Sequence, residues 1–104
     1  MIKVMIGFHK KPDSDIQPVL QKLRSFAMTF QGFKGMESLE SDEGGSIIVM
    51  EFNWESLDHW KAWKASQVQK QILEDAAGLL LDRPKMSVYK VVPLSGWPTG
   101  GSLP

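Results

Sequence analysis

Residues 2–9 alternate with the two-residue period of a strand, placing Ile2, Val4, Ile6 and Phe8 on one face and Lys3, Met5, Gly7 and His9 on the other. Lys10-Lys11-Pro12-Asp13 breaks that strand. From Ile16 the period turns helical: Ile16, Val19, Leu20, Leu23, Phe26, Ala27 and Phe30 form one apolar stripe. Ser14 or Asp15 is placed to cap this helix, Pro18 falls in its tolerant first turn, and Gly32 stops it. A second strand is predicted from Phe33 to Glu43, a tight turn at Gly44-Gly45, and a third strand from Ser46 to Trp54. Ser56 suits the N-cap of a helix carrying Leu57, Trp60 and Trp63, and Ser66 that of a continuation through Val68, Ile72, Leu73 and Ala76 to Gly78. After Asp82-Arg83-Pro84 a last strand is expected from Lys85 to Val92.

The order β-α-β-β-α-β predicts an α+β fold, a four-stranded antiparallel sheet with helices on one face in the ferredoxin-like arrangement. Helices can cover only one side of such a sheet. The other side should then read polar, yet Ile47, Val49, Tyr89 and Val91 lie opposite Ile48, Met50, Phe52, Val88 and Val92. Leaving such side chains in water forfeits about 1.5–3 kcal/mol each. A homodimer that buries the open faces against one another is the expected solution.

The 104 residues suffice for one domain. Residues 1–93 are assigned to it, and residues 94–104 to a Gly/Pro-rich tail bearing Trp97. Without cysteine the chain has no disulfide framework, thiolate metal site or sulfur nucleophile. Twelve Lys+Arg balance twelve Asp+Glu, so no net field attracts nucleic acid or an anionic membrane. The short apolar runs do not span a bilayer and the N-terminus lacks the order of a signal peptide, so a cytoplasmic location is expected.

Candidate chemistry is sparse. Trp60 and Trp63 face the same side of their helix, either as one wall of a cavity or as core anchors. His59 beside them is a candidate general base or a solvated helix residue, and His9 reads as a loop-edge surface residue. No histidine has the companions that a metal site needs. Tyr89 serves either a ligand, if it faces the helices, or an interface, if it faces outward. No phosphate-binding glycine loop or nucleophile elbow is present.

Across about residues 1–93 the chain resembles the antibiotic biosynthesis monooxygenase (ABM) domain family of dimeric α+β barrels. The resemblance is carried by the strand order, by Phe30-Gln-Gly-Phe33-Lys-Gly35-Met36, and by Phe52-Asn-Trp54-Glu-Ser-Leu57 leading into Trp63-Lys-Ala-Ser66. It implies one of several activities. Some relatives oxidise quinol- or anthrone-like aromatics with dioxygen and neither metal nor flavin, and others degrade haem. The haem-degrading relatives use an Asn on strand one, a Trp on the second helical region and a His about three turns on. Trp63 matches that Trp, but Met5-Ile6-Gly7-Phe8 holds no Asn and the His position falls near Leu73. The expectation is therefore a cofactor-independent monooxygenase, with no metal, acting on a small planar aromatic. Phe8, Phe26, Phe52, Trp60 and Trp63 are expected to wall its pocket between helices and sheet, with Trp63, His59 and Tyr89 as candidate catalytic residues. The alternative is a non-catalytic dimeric module that binds a small ligand.

Overall fold

The computed structural model describes residues 1–42 and 45–94. Eight stretches of regular structure follow one another: β1 (Ile2–His9), α1 (Gln17–Ala27), β2 (Phe33–Glu40), β3 (Ile47–Trp54), α2 (Leu57–Ala65), α3 (Gln67–Ala76), a 3-10 turn (Ala77–Leu79) and β4 (Lys85–Lys90). The strands form one antiparallel sheet in the order β2-β3-β1-β4, the ferredoxin-like arrangement. Its two central strands are β1 and β3. Val4, Ile6 and Phe8 of β1 and Met50, Phe52 and Trp54 of β3 are buried beneath the helices, together with Leu20, Leu23 and Ala27 of α1. Each such large side chain contributes about 1.5–3 kcal/mol through removal from water.

The second helical region is two helices, each started by a serine. Ser56 Oγ accepts from His59 N–H at 3.3 Å, and Ser66 Oγ accepts from Gln69 N–H at 3.2 Å. Ser66 itself is extended (φ −68°, ψ 144°), so α2 ends where α3 begins. At α1 the expected side-chain cap is displaced: Ile16 occupies the N-cap, and Asp15 Oδ1 accepts from Gln17 N–H at 3.0 Å.

The first helix is shorter than its apolar stripe. After Ala27 the backbone tightens, with Thr29 N–H donating to Phe26 O at 3.1 Å and Phe30 N–H to Ala27 O at 3.0 Å. The Thr29 hydroxyl also donates to Phe26 O at 2.6 Å. Phe30 consequently packs inward, while Phe26 stays 42% exposed on the outside. Strand β2 stops at Glu40, short of the expected Glu43, and β4 stops at Lys90, short of Val92. Val91 N–H still reaches Met1 O at 2.9 Å. Glu43, Gly44 and residues 95–104, with the expected turn, the remainder of the tail and Trp97, lie outside the described residues.

The register fixes the side of the sheet away from the helices. Asn53, Lys3 and Tyr89 form one row across it, Glu37, Glu51, Met5 and Ser87 the next, and Leu39, Val49, Gly7 and Lys85 a third. Tyr89 therefore faces away from the helices. This face mixes exposed apolar groups, Leu39, Ile47 and Tyr89, with a 2.7 Å ion pair between Lys3 and Glu51. Its composition is less uniformly apolar than alternation alone suggests, because β1 and β4 contribute lysines and a serine to it.

Candidate functional site

The aromatic side chains meet at the end of the sheet where β3 leads into α2. Trp63 stacks on Trp54 (centroids 6.4 Å apart, 28° between planes) and takes Phe30 edge-on at 5.0 Å. Phe33 makes edge contacts with Phe52 at 6.5 Å and Trp54 at 5.6 Å. Trp63 is 1% exposed and Trp60 7%, with Lys64 Nζ 5.0 Å from the Trp60 ring centroid. Phe8 and Phe52 are equally buried, whereas Phe26 is outside the layer. The five aromatic residues expected to wall a pocket thus divide into four packed core residues and one surface residue. Trp54 belongs to the same cluster, and its indole Nε1 is buried with no hydrogen-bond partner among the described residues.

His59 is engaged in the start of α2. Its Nδ1 and Ser56 Oγ are hydrogen-bonded at 2.7 Å. The ring lies over Gly32, whose φ of +86° and lack of a side chain are both required there: a Cβ would sit 2.6 Å from His59 Cβ. Gly32 O in turn accepts from Glu55 N–H at 2.8 Å, so the turn between α1 and β2 and the start of α2 are clamped together. Tyr89 stands opposite Lys3 on the open face, 55% exposed. The three candidate catalytic residues Trp63, His59 and Tyr89 therefore occupy three separate surroundings.

The concave surface lies elsewhere. Between α3 and β4, Leu73, Glu74, Ala77, Leu80, Leu81, Asp82, Arg83, Pro84 and Met86 line an open groove of about 620 Å³. Its origin is simple: β4 is an edge strand whose helix-facing side α3 does not fully cover, so Met86 is half-buried and Val88 is 39% exposed. Ile72 and Ala76 hold α3 to the core, which turns Leu73, Glu74 and Ala77 toward the groove. Aliphatic groups supply most of the lining, with ionisable groups from Glu74, Asp82 and Arg83. A smaller notch of about 110 Å³ is lined by Gly7, Phe8, His9, Ile47, Asp82 and Lys85. His9 Nδ1 lies 3.4 Å from Asp82 Oδ2 there. Neither cavity is lined by Phe26, Phe52, Trp60 or Trp63.

The sequence reading missed Glu74, Asp82 and Arg83 and placed His9 at a bland surface. Nothing local marks them, since the groove joins the end of a helix to the start of a strand and the His9–Asp82 contact spans 73 residues. The His and Asn of the haem-degrading relatives have no counterparts here: Leu73 presents an aliphatic side chain to the groove, and β1 carries no Asn. Among the described residues no three His, Asp or Glu side chains converge as a metal site, and no helix is long and apolar enough to cross a membrane.

Known structures share this architecture. A conserved protein from Methanosarcina mazei Go1 superposes with a TM-score of 0.78 at 16% identity, over 86% of this chain and 90% of its own. Rv0793 from Mycobacterium tuberculosis gives 0.78 at 16% identity over 90% and 97%. A variant of SnoaB, a cofactor-independent oxygenase from Streptomyces nogalater, gives 0.79 at 11% identity over 91% and 96%. At such identities these likenesses concern the fold. No curated protein matches the chain in sequence. The sequence profile of the antibiotic biosynthesis monooxygenase family matches residues 1–75. With the ferredoxin-like sheet, that match shows that the chain belongs to the antibiotic biosynthesis monooxygenase (ABM) family.

Proposed function

We propose that the protein is a cofactor-independent monooxygenase that oxidises a small planar aromatic of quinol or anthrone type, held in the groove between α3 and β4. The observation that carries this reading is the groove itself: about 620 Å³, within the 300–1,000 Å³ range typical of small-molecule sites, aliphatic in its lining and edged with charge. The oxygenase fold of SnoaB supports the reaction class. An anthrone suits the chemistry because its oxidation balances without a reductant: a ring CH₂ and O₂ give a ring carbonyl and water. Aliphatic walls would bind the ring faces, and the Arg83 guanidinium would bind the oxygen on which negative charge gathers after deprotonation.

The protein is further proposed to act as a homodimer through its open sheet face. Leu39, Ile47 and Tyr89 lie 41%, 54% and 55% exposed on it. Asn53 Oδ1, also on that face, is buried without a donor among the described residues, a state that costs about 1–3 kcal/mol and that a partner would relieve. Sedimentation equilibrium at micromolar concentration is expected to report about twice 11.7 kDa; a single 11.7 kDa species refutes the dimer.

One observation favours the second reading, a non-catalytic ligand-binding module: no imidazole or phenol is among the residues lining the groove. Oxygen uptake with a panel of anthrones and hydroquinones, run beside thermal-shift measurements, separates the two. Turnover supports the oxygenase, and stabilisation by ligands without oxygen uptake supports the binding module. Neither response from any compound overturns both.

A further inference from the structure

His9 ends β1 with its imidazole on the open side of the sheet, and its contact with Asp82 is held by more than the two side chains. Leu81 N–H donates to His9 O at 2.8 Å, Lys10 N–H to Ser46 O at 2.8 Å, and Lys11 N–H to Leu79 O at 2.9 Å. These bonds fix the backbone beside each partner and hold Nδ1 and Oδ2 3.4 Å apart. Gly7 explains the notch next to them. It pairs with Val49 on one side and Lys85 on the other, and contributes no side chain to its row. A Cβ there would meet only Lys85 O at 3.9 Å, so the space is a missing side chain rather than a backbone distortion. At about 110 Å³ it has room for a few water molecules, which occupy about 30 Å³ each in the liquid.

Asp82 lines the notch and the groove alike. The residue thus borders a cavity sized for a planar ligand and a smaller space that His9 also borders, with Oδ2 on the His9 side. The charged groups around the pair are Lys85 of β4 at the notch, and Arg83 and Glu74 of α3 at the groove. Lys10, next to His9 in the chain, turns its Nζ to Ser14 O at 3.3 Å.

We propose that Asp82 and His9 are the proton acceptor for the reaction in the groove, an assignment that rests on the oxygenase reading above. The substrate's acidic C–H or O–H bond breaks, and its proton passes to an Asp82 carboxylate oxygen. From there it passes to His9 Nδ1, and a proton leaves from Nε2 to water in the notch. The electron pair stays on the substrate as an enolate or phenolate, which dioxygen oxidises. Asp82 is the catalytic residue, and His9 acts through it.

The test uses the full-length protein with an anthrone as substrate and a hydroxyanthraquinone as non-reacting ligand. Both side chains are substantially solvent-exposed, 38% and 55%, so Asp82→Asn and His9→Gln will fold. Asp82→Asn is expected to lower kcat by about 100-fold or more with KM little changed, the usual loss of a general base. His9→Gln is expected to lower kcat by about ten-fold with KM little changed, and added imidazole to restore part of that loss, which a merely structural role would not allow. By NMR, the hydroxyanthraquinone should shift the His9 ring signals in wild type and not in Asp82→Asn. Unchanged kcat in both variants overturns the assignment while sparing the oxygenase. So does a ligand that shifts Leu73 and Met86 methyl signals and leaves His9 unmoved. A wild type that neither turns over the anthrone nor binds the quinone removes the assignment and the oxygenase reading together.

Discussion

Replacing Trp63 by alanine distinguishes a sealed aromatic core from a substrate wall. The indole is 1% exposed and touches two other rings, Trp54 at 6.4 Å and Phe30 at 5.0 Å between centroids. Truncating a buried aromatic to alanine costs about 3–5 kcal/mol, combining lost transfer energy with the cavity left behind. Ring pairs add about 0.5–1.5 kcal/mol each beyond burial, which favours the upper part of that range. For a domain of about 100 residues, 1 kcal/mol moves Tm by about 4–8 °C, so the expected fall is about 12–40 °C. Thermal unfolding followed by far-UV circular dichroism measures it, at fixed protein concentration because the proposed dimerisation would contribute to apparent stability. Indole should raise the Tm of Trp63→Ala by occupying the new cavity, and leave wild type unchanged. Trp63→Phe, which keeps a ring in the cluster, should retain oxygen uptake. A loss below about 1 kcal/mol for Trp63→Ala, or equal stabilisation of both proteins by indole, would show that Trp63 borders an open pocket.

Gly32→Ala should destabilise by more than the about 1–2 kcal/mol that a left-handed backbone costs an L-residue, because the new methyl also meets His59; urea titration reads the loss. Adding His59→Ala should recover only part of it, since the His59 Cβ, 2.6 Å from the new methyl, remains. Val49→Glu, in the third row of the open face opposite Leu39 and Gly7, should convert the dimer to a folded monomer, seen as a halved sedimentation mass with unchanged far-UV dichroism. Ala77→Trp should fill the groove from the end of α3 and weaken ligand binding at least about ten-fold by thermal-shift titration, while stability stays within about 0.5 kcal/mol of wild type.

The parts of the fold legible in the sequence are those where one side of an element is buried and the other is not. Ile2, Val4, Ile6 and Phe8 alternate because β1 lies in the middle of the sheet with helices over one side. Ser56 and Ser66 marked helix starts because a hydroxyl satisfies otherwise unpaired N–H groups. Phe26 misled because it continues a helical stripe that outlasts the layer available to bury it. Trp60 and Trp63 do share a side of α2, but periodicity reports which way a ring points and not whether space is left in front of it. The groove was illegible for the opposite reason. It exists because β4 extends beyond the cover of α3, a matter of relative placement that no single segment encodes. The pairing of His9 with Asp82 joins the end of the first strand to the approach to the last.

The interruption at Ser66 has a consequence for how this protein can change. Trp60 and Trp63 ride on α2 and one wall of the cleft on α3, and there the anchoring positions 72 and 76 differ from the exposed lining position 74 and from 77 in the 3-10 turn that follows. Selection, or an engineer, can therefore reshape ligand preference at positions 74 and 77 without disturbing the foundation of the fold. Specificity and foldability are written in separate letters of one short stretch of chain.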